Sequence, residues 1–391
     1  MTTIMILGAG VYQVPAIVKA KQMQLRVVAV SYFPNDPGLA IADRGYNIST
    51  TDREAVLAIA REENIDGVMT IASEASAPTV AYVTSKLNLA GIRYETAKNI
   101  SNKYLLRKSL AANGIEGPRF KLVNDVDSVI SFLEEVKAPI VIKPTNESGS
   151  RGLAKIVESS EVAGKFNSCV LAMREKNGII VEEYIEGIDI GGECLIREGK
   201  FVFCEFTRKL LNSHFVPIAH SVPSEIDVSI LSSAKDLLSR ALRGLQITDG
   251  VIDFDIRLSR NGPRIIEIGG RLGGNCIPAL LETYTGVDLI KENIKFSLGH
   301  RNEIDVCYAE DVYTVRILGA NKSGMVKKMN SLKDIIPAED IIEEVFDCKV
   351  GDRVDVLDNG ANRLGHIIFR SKATEQANKR ISALDSIFVV E

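Results

Sequence analysis

The chain has 391 residues, which is enough for two or three domains. Hydrophobic residues make up 46% of it and charged residues 25%, as is usual for a globular protein. The 47 basic and 51 acidic residues give a net charge of −4, which excludes a strongly basic chain, and we expect no nucleic-acid partner.

No apolar run reaches the ~18 residues that span a membrane, and the opening MTTIMILGAG lacks the charged start of a signal peptide. The six cysteines are scattered without a CxxC pair, which is typical of reduced thiols. We therefore expect a cytoplasmic protein with no membrane partner.

The first 95 residues alternate between predicted strands (4–8, 26–30, 67–71) and predicted helices (13–24, 53–64, 75–88). This alternation is typical of a parallel, doubly wound sheet. The turn GAGVYQ has Gln13 where a dinucleotide fingerprint needs its third glycine, and Ser31 stands where an acidic residue would end the second strand. We therefore interpret GAGVYQ as a tight strand-to-helix turn.

The next part of the chain predicts a helix at 101–112, with Ser101 as its N-cap and Gly114 as its stop signal. A long amphipathic helix is predicted at 226–244. The strands predicted around it are 139–143, 153–157, 179–185, 193–197, 200–206, 250–258 and 263–269. The last two strands are joined by an Asn-Gly turn typical of a hairpin, and a small strand-rich segment follows His300 and includes a helix at 373–384.

Carboxylates are concentrated on the predicted hairpin. Asp253 and Asp255 lie two residues apart and so share a face of one strand, while Glu267 can lie opposite Asp255 on the other strand. Facing carboxylates repel unless a cation lies between them, and Mg²⁺ prefers such oxygen ligands. Arg271 follows, with a planar fork suited to a phosphoryl group. The hairpin alone fits either a metal site or an exposed polar face.

Three other stretches carry weaker signals. Lys143 ends an apolar strand and precedes a loop containing Ser148, Gly149 and Ser150, whose amides could wrap phosphate oxygens; a flexible turn is the alternative. Glu182 and Glu183 end another strand, which fits a nucleoside-binding edge or solvated acids. Lys103 lies in the first turn of the 101–112 helix, where a cation opposes the helix dipole unless it serves an anion.

The order of these motifs resembles the ATP-grasp superfamily, over roughly the whole chain. The resemblance implies an α/β and α+β fold in which a doubly wound N-terminal domain (1–100) precedes an ATP-grasp domain (101–300, with a lid at about 115–183) and a small C-terminal domain (301–391). The stretches GAGVYQVPAIVKAK, HSVPS and EIGGRLGGN are similar to the carboxylate–amine ligase branch, which includes L-amino acid ligases and relatives of carbamoyl phosphate synthetase.

The same resemblance implies a role for each matching position. Lys103 and Lys143 contact ATP phosphates, and residues 147–152 form the mobile loop that covers them. Glu182 contacts the adenine amino group, the backbone of Glu183 and Ile185 lines the base, and Asp189 binds the ribose. The remaining implied roles are Mg²⁺ (or Mn²⁺) binding by Asp255 and Glu267, phosphoryl and acyl-phosphate binding by Arg271, a looser phosphate contact by Lys209, and proximity to the substrate for His220.

The implied reaction is ATP-dependent activation of a carboxylate as an acyl phosphate, followed by coupling to an amine. Candidate substrate residues are Glu74, which could bind an ammonium group, together with His220, Ser221, Arg257 and Asn275. Two positions depart from the family's pattern. Gly269 stands where many relatives have Asn, and Asp255 stands where Glu or Gln is common. The alternatives are formyl, carboxy or carbamoyl phosphate chemistry on a small metabolite, or an ATP-binding regulatory module. We expect small-molecule substrates and a homodimer.

Overall fold

The computed structural model of the chain describes residues 1–174, 178–301 and 303–391. Its N-terminal part is a parallel four-stranded sheet of order β3-β2-β1-β4, with helices on both faces. Its elements are β1 (Thr3–Leu7), α1 (Val14–Gln22), β2 (Arg26–Ser31), α2 (Pro37–Ile41), β3 (Arg44–Asn47), α3 (Arg53–Glu62), β4 (Gly67–Met69) and α4 (Ala77–Leu87). Every residue of β1 is buried, as expected for the centre of a doubly wound sheet. The predicted strands and helices of this part are confirmed.

Two helices, α5 (Tyr94–Ile100) and α6 (Lys103–Ala112), connect this sheet to the rest of the molecule. The predicted N-cap was wrong by one residue. The side chain of Asn102 caps α6 by accepting the Leu105 N–H at 3.0 Å, whereas the hydroxyl of Ser101 donates to Glu74. Helix α6 ends two residues before Gly114, close to the predicted stop.

A second, antiparallel sheet of order β5-β8-β6-β7 lies within the predicted lid. Its elements are β5 (Phe120–Val123), α7 (Val126–Val136), β6 (Ile140–Pro144), β7 (Ala154–Ile156), α8 (Val162–Ala172) and β8 (Ile179–Glu183). Phe132, Ile142 and Val181 pack in a core between this sheet and its helices. Residues 175–177 of the predicted lid lie outside the described residues.

The largest sheet has eight strands in the order β13-β12-β9-β10-β11-β14-β18-β16. Its first half and the helices that follow are β9 (Ile188–Arg197), β10 (Lys200–Leu211), β11 (Pro217–Val222), α9 (Val228–Gly244), β12 (Gly250–Ser259), β13 (Gly262–Gly269), α10 (Ile277–Thr285) and α11 (Leu289–Ser297). The predicted hairpin is confirmed, with Ser259 paired to Gly262. Helix α11 packs back on α1, where Lys19 and Asp288 form an ion pair of 2.5 Å.

The C-terminal part comprises β14 (Val312–Leu318), β15 (Gly324–Met329), β16 (Ile341–Phe346), β17 (Arg353–Val354), β18 (Gly365–Ser371), α12 (Thr374–Ala383) and β19 (Phe388–Val390). Three of these strands extend the large sheet, because β14 pairs with β11. The sheet thus continues across residue 300, and the predicted domain limits 1–100, 101–300 and 301–391 remain predictions. Residue 302 lies outside the described residues. Within the described ranges, every helix is too short or too polar to cross a membrane.

Candidate active site

A cavity of about 430 Å³ lies where α6, the second sheet and the large sheet meet the N-terminal sheet. Most residues predicted for the site line it: Glu74, Lys103, Lys143, Ser148, Gly149, Ser150, Asp189, Lys209, His220, Asp255, Arg257, Glu267, Arg271 and Asn275. The predicted residues that do not line it are Glu182, Glu183, Ile185 and Ser221.

Two carboxylates face each other at the centre of the cavity. Asp255 on β12 pairs in register with Glu267 on β13, as predicted. The Lys209 ammonium lies 2.5 Å from Asp255 Oδ2, and the Lys103 ammonium lies 3.5 Å from Glu267 Oε1. Burial by itself raises the pKa of Glu267, but Lys103 and Lys143 hold that pKa at about 2. Burial raises the pKa of Asp255, against the opposing effect of Lys209.

These two oxygen donors fit a magnesium ion that also binds phosphate. Mg²⁺ usually takes one or two carboxylates and completes its shell with phosphate oxygens and water. Among the described residues, no group of three or more His, Cys, Asp and Glu side chains is arranged to hold a metal without such help. The lysines beside Asp255 and Glu267 compensate their charge in the structure as it stands.

Lys143 belongs to a buried ionic network under the cavity. Its ammonium lies 2.7 Å from Glu182 Oε2, and Arg107 Nε donates to Glu182 Oε1 at 2.8 Å. Arg107 also donates to the carbonyls of Ile265 and Ile266 on β13, at 2.9 and 3.0 Å. Burial opposes ionisation of Glu182, but Arg107 and Lys143 hold its pKa at about 2. Both carboxylate oxygens are engaged in this network, and the contact of Glu182 with adenine stays a prediction.

Arg107 was missed by the sequence analysis. It lies four residues after Lys103 on α6, so both side chains point from one face of the helix. A lysine and an arginine at that spacing, next to the buried Leu106 and Leu110, were the available signal.

The glycine-serine loop at 147–152 folds over the cavity. Gly149 and Ser150 have φ angles of +67° and +62°, a left-handed conformation that glycine adopts freely and serine does not. The Ser150 hydroxyl donates to the Phe215 carbonyl at 2.8 Å, and the Gly360 N–H donates to the Gly149 carbonyl at 3.0 Å. The loop is thus held from β10–β11 and from the C-terminal part.

Asp189 and Arg257 lie at the same end of the cavity as the second sheet. The Arg257 guanidinium donates three hydrogen bonds of 2.7 to 2.9 Å to the Asp189 carboxylate. It also donates to the Ile185 carbonyl at 2.9 Å, which occupies one of the backbone groups predicted for the base. Arg257 therefore orients Asp189 while lining the cavity, and its contact with a substrate stays a prediction. Glu183 is half-buried and lies 3.4 Å from the exposed Arg119.

At the opposite end, Arg271 lies between two carboxylates. Its Nη2 is 3.0 Å from Glu74 Oε2, and its Nη1 is 2.5 Å from Asp253 Oδ2. Burial by itself lowers the pKa of Arg271, but Asp253 and Glu74 raise it above the usual arginine value, so the guanidinium stays charged. Burial raises the pKa of Asp253 to about 6 although Arg271 opposes the shift.

The departure at Gly269 has a steric reason. A Cβ at this position would lie 3.0 Å from Glu74 Oε2 and 3.1 Å from Arg271 Cζ. The ion pair between these two residues therefore occupies the space that a side chain such as asparagine would need.

His220 and Ser221 follow each other on β11 and point to opposite faces. His220 lines the cavity, and its Nδ1 lies 2.9 Å from the Thr207 hydroxyl. Burial, with a smaller effect of Lys209, lowers its pKa to about 3, so the ring is neutral. Ser221 instead bonds to the Thr314 hydroxyl at 2.8 Å inside the large sheet. Ser221 does not line the cavity, and its contact with a substrate stays a prediction.

Known proteins are similar to this chain in sequence and in fold. Over 356 residues the chain is 27% identical to an uncharacterized protein of Sinorhizobium fredii, covering 87% of this chain and 72% of the relative. It is 27% identical over 293 residues to the formate-dependent phosphoribosylglycinamide formyltransferase of Wolinella succinogenes, covering 68% and 69%. The crystal structure of L-amino acid ligase from Bacillus licheniformis shares its fold, with a TM-score of 0.84 at 19% identity over 100% of this chain and 99% of that one.

Most of the residues that line the cavity fall within one stretch of the sequence that matches a family model. Residues 136–279 match the family model of the ATP-grasp domain, and this range includes Lys143, the 147–152 loop, Asp255, Glu267 and Arg271. The chain is therefore similar to the ATP-grasp domain over residues 136–279.

Proposed function

We propose that this protein is an ADP-forming ligase that activates a substrate carboxylate as an acyl phosphate and couples it to an amine. The observation that carries the proposal is the convergence of Lys103, Lys143, Asp255, Glu267 and Arg271, from four parts of the chain, on one cavity. Such a set of charges suits phosphoryl transfer, in which the protein contributes mainly position and electrostatic stabilisation.

The nucleotide would lie between the second sheet and the large sheet. Asp189, oriented by Arg257, would accept the ribose hydroxyls, and the amides of the 147–152 loop would cover the phosphates. Lys103 and Lys143 would contact phosphate oxygens. Lys103 is paired with Glu267 at the cavity and Lys143 with Glu182 beneath it, so both lysines are held at the site before ATP binds.

Phosphoryl transfer would take place between the two lysines and Arg271. A magnesium ion held by Asp255 and Glu267 would neutralise phosphate charge when bound. Arg271 would stabilise negative charge on the transferred group and then on the acyl phosphate, and the closed loop would keep water from hydrolysing that intermediate. An amine attacks the acyl carbon, the carbon–oxygen bond to phosphate breaks, and the amine loses a proton as the amide forms.

A second candidate is activation of formate, bicarbonate or carbamate for transfer to a small metabolite. It is favoured by the 27% identity to the formyltransferase of Wolinella succinogenes. It uses the same nucleotide, metal and arginine positions, so only the products distinguish it. A regulatory ATP-binding module would bind nucleotide without forming ADP.

A screen for ADP release over pairs of amino acids, amino sugars and dicarboxylates, with formate and bicarbonate added, tests these candidates. We expect ADP and phosphate only when a carboxylate and an amine are both present, with an amide product seen by mass spectrometry. A requirement for formate or bicarbonate would favour the second candidate. Tight ATP binding with no ADP under any mixture would contradict both.

Arg271→Ala gives the matched negative control for the screen. We expect it to abolish ADP formation while its circular dichroism stays that of the wild type. Normal phosphate release by this variant with both substrates present would show that the role assigned to Arg271 is wrong.

Two further parts of the proposal rest on the sequence and on the free state of the described cysteines. We propose a cytoplasmic location and a homodimer. Sedimentation of the purified protein tests the dimer, and a monomer at micromolar concentration would contradict it.

A further inference from the structure

The N-terminal sheet contacts the site through the loop after β4. The Ala72 N–H donates to the Leu272 carbonyl at 2.9 Å, and Ile71 forms an isolated parallel bridge with Leu272. The loop therefore runs directly beside the segment that carries Arg271. Ala72 has φ of +55°, which is unfavourable for alanine, so the surrounding contacts must hold this conformation in place.

Gln13 supplies one of those contacts. Its buried side chain donates to the Ile71 carbonyl at 2.7 Å. It also occupies the space above Gly8, where a Cβ would lie 3.0 Å from the glutamine side chain. Gln13, which stands in place of the third glycine of a dinucleotide fingerprint, thus holds the loop after β4 next to the segment that carries Arg271.

Glu74 ends this loop, is buried, and has a polar neighbour at each oxygen. Oε1 accepts the Ser101 hydroxyl at 2.8 Å, and Oε2 lies 3.0 Å from Arg271 Nη2. Asp253 contacts the other terminal nitrogen of the guanidinium at 2.5 Å. Two carboxylates on opposite sides fix the plane of the guanidinium, and Arg271 Nε remains buried without a hydrogen-bond partner in the described part of the chain.

We propose that the N-terminal sheet orients the catalytic arginine: Glu74 is a positioning residue that fixes the Arg271 guanidinium together with Asp253, and Gln13 holds the loop that presents Glu74. The inference rests on the proposed function in giving Arg271 the transferred phosphoryl group. It assigns Glu74 a role different from binding a substrate ammonium, because Oε1 already accepts from Ser101 and Oε2, which has no hydrogen bond within the described residues, forms an ion pair with the Arg271 guanidinium.

The test compares wild type, Glu74→Gln and the control Glu95→Gln, which changes an exposed carboxylate on α5 of the same region. Nuclear magnetic resonance of ¹⁵N-arginine-labelled protein reports the Arg271 guanidinium without any substrate, with Arg271→Lys for assignment. We expect Glu74→Gln to shift or broaden the Arg271 signal and Glu95→Gln to leave it unchanged. An unchanged Arg271 signal in Glu74→Gln would overturn the inference, whether or not the protein proves to be a ligase.

Kinetics with the pair of substrates found in the screen supply the second readout. Misorientation of Arg271 should lower kcat by about ten- to a hundred-fold, since small displacements of a catalytic group have effects of that size. The KM for ATP should stay within about two-fold. An unchanged kcat with a raised KM for an amino substrate would instead establish Glu74 as an ammonium-binding residue. If Glu74→Gln does not fold, Gln13→Met, which removes the bond to Ile71, takes its place with the same expected direction.

Discussion

At the scale of single residues, charge compensation decides what each buried ionic group can do. Glu182 is about as buried as Lys143 and Arg107, and its carboxylate joins α6, β6 and β8. The sequence showed an acid at a strand end but gave no means of knowing that two cations would converge on it. One of them, Arg107, comes from a helix that is 75 residues away in the chain.

Glu182→Gln should therefore lower the free energy of unfolding even when no nucleotide is present. Removing one partner of a buried ionic group typically costs about 3–5 kcal/mol. Glu183→Gln is the matched control, because its partner Arg119 is exposed and such pairs contribute about 0–1 kcal/mol. Urea unfolding measures both. Equal free energies of unfolding for the two variants would show that Glu182 is not part of a stabilising network.

His366 gives a dependence of stability on pH. Burial by itself lowers the pKa of its imidazole, but Cys276 and Glu343 outweigh this and raise the pKa to about 9. The folded state thus holds a proton that the unfolded state, with a pKa of about 6.5, releases earlier. The stabilisation is complete below pH 6.5 and is lost as pH rises toward 9, and it amounts to about 1–3 kcal/mol.

Unfolding in urea between pH 6 and 9.5 measures this effect. His366→Gln should flatten the fall in unfolding free energy over that range, whereas replacement of the exposed His214 by Gln should not. If the unfolding free energy fell equally steeply with pH in the wild type and in His366→Gln, the attribution of this pH dependence to His366 would be contradicted.

At the scale of elements, local patterns located strands and helices where the period was clear, and missed them where it was not. The hairpin β12–β13 and its facing Asp255 and Glu267 followed from alternation and the Asn-Gly turn. The sequence analysis did not assign helices α2, α5, α7, α8, α10 and α11 or strands β3, β5, β11, β15, β16 and β19. In β16, three consecutive residues are exposed, so the strand lacks the alternation of apolar and polar residues that indicates a half-buried strand.

The 147–152 loop allows a prediction about one element. Gly149→Ala should cost about 1 kcal/mol locally because Gly149 has φ of +67°. The closed loop would be less populated, and the KM for ATP should rise by about five-fold, the factor that corresponds to such an energy. Gly199→Ala is the control, since Gly199 has φ of +75° in a turn outside the cavity, where an added Cβ would meet nothing within 4 Å. Equal KM values in both variants would show that loop closure does not limit ATP binding.

At the scale of the whole molecule, the order of motifs along the chain was enough to predict the ATP-grasp fold, and the described structure confirms that fold. The packing between distant parts was not predictable. The continuous sheet through β11 and β14 joins segments on both sides of the predicted boundary at residue 300. The contact from Glu74 to Arg271 likewise depends on how the N-terminal sheet meets the large sheet, which no local period encodes.

In the proposed reaction, ATP activates a carboxylate through an acyl phosphate. The most direct measurement uses the carboxylate substrate labelled with ¹⁸O in both oxygens, with the phosphate product examined by mass spectrometry. We predict one ¹⁸O atom in each released phosphate, together with ADP and an amide. Phosphate free of ¹⁸O during turnover of the same substrate pair would contradict the account.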